Sequence, residues 1–254
     1  MFPVLNLGPF AIQSAGLILI CGVWIGITVA EKKAQFIQVN PQDVENLILI
    51  LLGSGVIGAR LSFALQSIDV FIADPIQILS LQTAMMDNSG GLLFALVGGL
   101  IFIQRKKIPI RFAADGLVPF LNILLIAYYL ASFASANIFG KETDCFFGML
   151  LFGERRHPVA LYAGIFLCII FFFSPLFEKW IMTSKHIEQK EGIKFLIFLF
   201  LTSLCVLFIE YFRENVSLLS DSLNQNQFVA FILMLVSGIA LLRKSNISSN
   251  MEIK

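Results

Sequence analysis

Charge is what this chain has least of. Only 14% of its 254 residues are Asp, Glu, Lys or Arg, against about a quarter in an ordinary soluble domain. The net charge of +1 provides no attraction to a polyanion, so nucleic acid is not an expected partner. Cysteine occurs four times, at Cys21, Cys145, Cys168 and Cys205. Three of these fall inside apolar runs, where a thiol behaves as a small hydrophobe. Their spacing fits neither a disulfide framework nor a metal site. The two histidines, His157 and His186, are expected on opposite sides of a membrane, so they cannot share one. No metal or other cofactor is expected. Repeats are missing too, including the inverted repeats of secondary transporters.

What the chain has is apolar residue, 57% of the total with 26 Phe. A membrane-spanning helix needs roughly 20 mostly apolar residues. Seven stretches meet that need, at about 9–30, 46–68, 88–104, 112–135, 159–178, 194–213 and 228–242. The last is short and the fourth partly polar, so six and eight spans are the alternatives. The runs are continuous rather than alternating, which argues against a membrane barrel. The first run has no basic stretch before it and no small-residue cleavage site after it, and reads as a retained span. The expected fold is therefore all-α: one polytopic membrane domain over 1–254, with about seven transmembrane helices.

Lys and Arg accumulate on the cytoplasmic side of membrane proteins. With seven spans one side receives thirteen: Lys32, Lys33, Arg105, Lys106, Lys107, Arg111, Lys179, Lys185, Lys190, Lys194, Arg243, Lys244 and Lys254. The other receives four: Lys141, Arg155, Arg156 and Arg213. The N-terminus is expected outside and the C-terminus in the cytoplasm. A small extracytoplasmic head would then form from about 69–87, 136–158 and 214–227. In the first of these, Asp74-Pro75 reads as a helix start.

Three features interrupt the apolar pattern. GSGVIGAR in the second span places small residues four apart, the spacing that lets helices approach closely in lipid. Arg60 follows them about 12 Å below the outer boundary, at 1.5 Å per residue. A charge at that depth faces a partner or a cavity. The second feature is FGERRHPVALY at 152–162, with Arg156 and His157 just before the fifth span. IEYFREN closes the sixth, with Glu210 and Arg213 three apart on one helix face. Arg60, Arg156, His157, Glu210 and Arg213 form the candidate site. An arginine fork suits a phosphate oxygen pair, so an anionic phospholipid headgroup is the expected partner, with few carboxylates around it.

The ordered motifs resemble the prolipoprotein diacylglyceryl transferase family. They are FPVLNLGPFAI at 2–12, GARLSF at 58–63, IADP at 72–75, SGGL at 89–92 and ADGLVP at 114–119. FGKETD at 139–144, RHPVALY at 156–162, IEYFRE at 209–214 and NQ at 226–227 complete the order. The resemblance implies a bacterial cytoplasmic-membrane protein that moves a diacylglyceryl group from phosphatidylglycerol to a lipobox Cys of prolipoproteins. It also implies a Tyr early in span one and a His before the Gly-Gly of span three. An Arg-Asn-Asn-Gly-Glu signature would close span four, a Glu would follow the His-Pro motif, and an Arg would stand in span six.

In this chain those positions hold Ala15, Ser89, Tyr129, Ser132, Ser135, Ala136, Asn137, Ala163 and Val206. Residues 112–140 contain no Arg in any register. Uncharged residues are easier to bury in lipid than unpaired charges, so the pattern is that of a scaffold kept while its chemistry was replaced. The expectation is a catalytically silent relative that binds phosphatidylglycerol or another anionic lipid, with a prolipoprotein or an active paralogue as protein partner. Three alternatives stand beside it. One is transferase activity through the remaining groups, another a Ser89–His157–Asp87 set. The third, a small transporter, would require polar residues on both sides of the midplane, and polarity here collects in the outer half.

Overall fold

The computed structural model describes residues 4–7, 10–35, 39–68, 86–184, 191–214, 218–220 and 223–251. Among the described residues seven helices carry the fold: α1 Ser14–Ala34, α2 Pro41–Gln66, α3 Asn88–Lys106, α4 Ile110–Ser135, α5 Val159–Ser184, α6 Ile193–Phe212 and α7 Gln225–Met251. Each is long and apolar enough to cross a membrane. Lipid offers no partner to a backbone N–H or C=O, so an apolar run that crosses it closes its own hydrogen bonds as a helix. The protein is a multi-pass membrane protein. The first span starts later than the sequence suggests. Residues 10–13 form strand β2 (Phe10–Gln13), paired with β1 (Val4–Leu7), because the backbone there is satisfied across a hairpin.

Helix ends are set by local chemistry. Asn40 caps α2, its side chain accepting from Gln42 N at 3.1 Å, and Pro41 begins the helix with a φ already suited to it. Asp87 caps α3, accepting from Ser89 N at 3.3 Å and Gly90 N at 2.8 Å. Lys107, with φ 55°, ends α3 in the left-handed conformation. The Asp74-Pro75 helix start lies outside the described residues, as does nearly all of 69–87.

The chain forms two compact units. The first comprises residues 1–29 and 117–254, the second 30–116. In the second unit α2 and α3 meet along small residues. A methyl group on Gly58 would stand 2.2 Å from Phe94 Cβ, one on Gly90 2.1 Å from Ser62 Cβ, and one on Gly91 3.0 Å from Ala59 Cβ. The GSGVIGAR stretch is thus a packing seam, since lipid gives no hydrophobic drive and contact must come from close backbones.

In the first unit Ile138, Val159, Ala163, Leu167, Cys205 and Ile209 form a buried cluster joined by Tyr129, Tyr162 and Phe212. Between α4 and α5 the chain makes a small head. Strands β3 (Met149–Leu151) and β4 (Glu154–Arg156) pair antiparallel. Residues 139–143 lie alongside, bridging Glu142 to Arg156 and Gly140 to Arg213. Lys141 N donates to Phe212 O at 2.8 Å and Thr143 N to Arg155 O at 2.9 Å. Gly140 is required by this crossing, because a methyl there would stand 2.5 Å from Val159 Cγ2 and 2.6 Å from His157 O.

Candidate functional site

The pairing of 139–143 with both β4 and the end of α6 draws Arg156, His157, Glu210 and Arg213 into one region of the first unit. The Arg156 guanidinium bonds to Glu142 at 3.3 Å, to Glu154 and to Glu214, and lies over the Phe139 ring at 5.6 Å. His157 Nδ1 is 3.2 Å from the Tyr162 hydroxyl, and its ring meets Phe212 edge-on at 5.1 Å. Arg213 donates to Glu210 Oε1 at 2.8 Å. Glu210 is buried, and also accepts from Asn224 at 2.8 Å and Asn226 at 3.0 Å. Glu210 therefore ties α6 to the strand β6 (Leu223–Asn224) and the start of α7. The fifth candidate, Arg60, is half-buried in α2 of the second unit.

The expectation of few carboxylates does not hold. Four surround the two head arginines, three of them on Arg156. The sequence distances from Arg156 to Glu142 and Glu214 are 14 and 58 residues. No local pattern announces such pairs. The only signal was that acidic residues of an acid-poor chain recur in the segments between spans. Asn224 and Asn226 were likewise unmarked, apart from the NQ motif containing the second.

Two of these carboxyls are shifted in opposite directions. The hydrogen bond to Glu154 raises Glu142 above its ordinary range, with the Glu154 charge adding to it. The same bond, followed by that from Arg156, lowers Glu154. A raised group stabilises the fold below its unfolded pKa and loses that contribution as pH rises through its folded value. A lowered group does the reverse, losing its contribution as pH falls through its folded value. Glu142→Gln should therefore remove a loss of head stability on raising pH from the ordinary glutamate value of about 4.3. Limited proteolysis of the head across that range checks it, and an identical profile for parent and variant would count against the coupling of Glu142 to Glu154.

The positions marked by the family resemblance have distinct surroundings. Ala15 is half-buried and Ser89 exposed, each in the first turn of its helix. The Asp87 carboxylate is occupied by the Ser89 and Gly90 main chain and by the Ser62 hydroxyl at 2.6 Å. These bonds hold its pKa below the usual carboxylate range, the Ser62 bond most of all. Asp87 is a helix cap, with the main chain of Ser89 rather than its hydroxyl against it. Tyr129 packs against the apolar cluster that contains Ala163 and Cys205. Ser132 and Ala163 are buried, and Val206 is half-buried. Asn137 is exposed, with its N–H bonded to Ser132 O at 3.1 Å.

Ala136, where the family resemblance implies Gly, has φ 57°. A Cβ is crowded there, while glycine enters that conformation freely. Ala136→Gly should stabilise the protein by about 1 kcal/mol, seen as a raised melting temperature. A lowered one would mean that the Ala136 methyl contributes packing that outweighs the strain.

These features define a multi-pass membrane protein, with seven spans among the described residues and a polar head assembled around two arginines at the ends of α5 and α6. The chain belongs to the prolipoprotein diacylglyceryl transferase family, whose model matches residues 3–243. It is similar to the phosphatidylglycerol–prolipoprotein diacylglyceryl transferase of Rickettsia felis, with 27% identity over 253 residues and 96% of each chain covered. It is also similar to the Rickettsia bellii protein of the same name, at 25% identity over 255 residues, covering 97% of this chain and 95% of that one.

Proposed function

We propose that the chain is a catalytically silent member of its family, seated in the bacterial cytoplasmic membrane as one integral domain with its N-terminus outside. It holds an anionic phospholipid, phosphatidylglycerol by likeness to its relatives, through Arg156, His157 and Arg213 of the first unit, with Glu210 orienting Arg213. A prolipoprotein or an active family member is the protein it would serve. The observation that carries the reading is the apolar packing around Tyr129 and Ala163. Diacylglyceryl transfer must take a proton from a thiol and hold a departing phosphate. Tyr129, Ala163 and Val206 bring neither a base nor a positive charge to those positions.

Arg156 is not idle in this reading. Its three carboxylates are 62%, 51% and 45% exposed, while the Arg156 side chain itself is 11% exposed. Glu154 and Glu214 take one guanidinium nitrogen each, and a phosphate can bind both nitrogens at once in their place.

The test uses the purified protein with phosphatidylglycerol micelles and a lipobox peptide, followed by mass spectrometry. The expected result is no thioether-linked diacylglyceryl product, with anionic phospholipid copurifying. Arg156→Ala should deplete that lipid. Product above a protein-free control would restore the transferase reading, and unchanged lipid in the variant would remove the headgroup site.

A further inference from the structure

The head carries a set of apolar side chains that no element among the described residues covers. Phe146 is 96% exposed, Leu150 76%, Phe152 69% and Phe147 61%. None of them belongs to a membrane-spanning helix. Phe152 is placed unfavourably in a second sense. It occupies a left-handed position, φ 56°, ahead of Gly153 at φ 89°, in the two-residue turn between β3 and β4. Such turns favour Asn or Gly at that site, and a bulky residue there is an outlier. The chain thus keeps a phenyl ring where both its backbone and its exposure to water oppose it.

The height of the patch follows from its ring contacts. Phe147 meets Tyr162, in the first turn of α5, at 6.3 Å. Tyr162 meets Phe212, the last residue of α6, at 6.5 Å. Phe212 meets Phe208 at 5.3 Å, and Phe208 is 53% exposed on the outside of a membrane-spanning helix. A continuous row of rings therefore joins the patch to the lipid-facing surface at the level where two spans end. Aromatic side chains concentrate at that level because their apolar bodies leave water there. The hairpin register adds a charge. Leu150 pairs with Arg155, so both project from one face, while Leu151 on the other face is buried. Arg155 is exposed and makes no ion pair among the described residues.

We infer that this hairpin is an interfacial anchor. Phe146, Phe147, Leu150 and Phe152 enter the boundary between headgroups and acyl chains of the bilayer that the helices span, and Arg155 meets the phosphates of anionic lipid there. The inference requires the seven spans but not the headgroup site proposed above. The anchor ties the head to the leaflet at the end of α5, and holds the neighbouring Arg156 cluster at headgroup height.

The test places a tryptophan at the patch. Trp24→Phe and Trp180→Phe first remove the two native indoles. Phe152→Trp and Phe146→Trp are then made singly, the second at a site too exposed to disturb folding and decisive if the first variant does not fold. Each is reconstituted in phosphatidylcholine vesicles with and without phosphatidylglycerol. The expected result is blue-shifted emission, quenched strongly by lipids brominated near the headgroup and weakly by aqueous iodide. Arg155→Glu should reduce that quenching in vesicles containing phosphatidylglycerol and leave it unchanged in pure phosphatidylcholine. Emission at the wavelength of indole in water, with strong iodide quenching, would overturn the anchor. Blue-shifted emission insensitive to brominated lipid would overturn it too, since protein would then cover the patch. Dependence of the signal on the protein-to-lipid ratio would identify that cover as a second copy.

Discussion

Glu210→Ala should destabilise the protein by about 3 kcal/mol, the lower end of what is lost when one partner of a buried ion pair is removed. Three donors converge on this carboxylate: Arg213 at 2.8 Å, Asn224 at 2.8 Å and Asn226 at 3.0 Å. Asn224 is itself buried, so the variant strands a buried amide beside a cation that has lost a counter-charge. Each unsatisfied buried donor costs about 1–3 kcal/mol. For a chain of this size the loss corresponds to a fall of about 6–12 °C in melting temperature. Glu210→Gln keeps one acceptor and loses the charge, and should fall between parent and Ala. Asn226→Ala removes one bond at a half-buried site and should cost about 1 kcal/mol. The ordering of the three melting temperatures in one detergent is the measurement. If Glu210→Ala melts with the parent, β6 and α7 are held to α6 by apolar packing, and Glu210 is not a clamp.

Gly58→Ala should be among the most damaging single-methyl changes in the second unit. The added carbon would stand 2.2 Å from Phe94 Cβ and 2.4 Å from its Cγ, where carbon atoms rest at about 3.5–4.0 Å. The Cβ of Phe94 cannot swing away without its backbone, so α2 and α3 must move apart. That loosens the neighbouring approaches of Gly90 to Ser62 and Gly91 to Ala59. Overpacking of this kind costs about 1–3 kcal/mol, and the shared seam puts Gly58→Ala at the upper end. Gly58→Leu should prevent the α2–α3 hairpin from closing. Gly53→Ala on the same helix meets nothing within 4 Å. It should be neutral or stabilising by up to about 1 kcal/mol, through helix propensity alone. Thermal unfolding of the pair separates packing from propensity, because both changes add the same methyl to the same helix. Equal melting temperatures would show that the seam tolerates a wider spacing.

These two predictions mark different degrees of legibility. The small residues of GSGVIGAR were readable as a packing face, because their four-residue spacing is a property of one helix. Their partners on α3, and which glycines lie tightest, were not. Arg156, His157, Glu210 and Arg213 were likewise visible as polar residues at the ends of apolar runs. Their bonds were not visible, since Glu142, Glu154 and Glu214 reach Arg156 only after residues 139–143 pair with both β4 and the end of α6.

The sequence alone determined the seven apolar spans, the small-residue face of α2 and the polar segments between helices. All of these follow from single-segment physics: an apolar run long enough for the bilayer, small residues four apart on one helix, and charge kept out of lipid. Only the tertiary structure decided that residues 10–13 pair as a strand rather than extend α1. It likewise decided that Arg156 is held by three carboxylates, and that Tyr129 and Ala163 pack into an apolar cluster. Those outcomes depend on which distant segment satisfies a backbone or a charge first, and no local pattern encodes that competition.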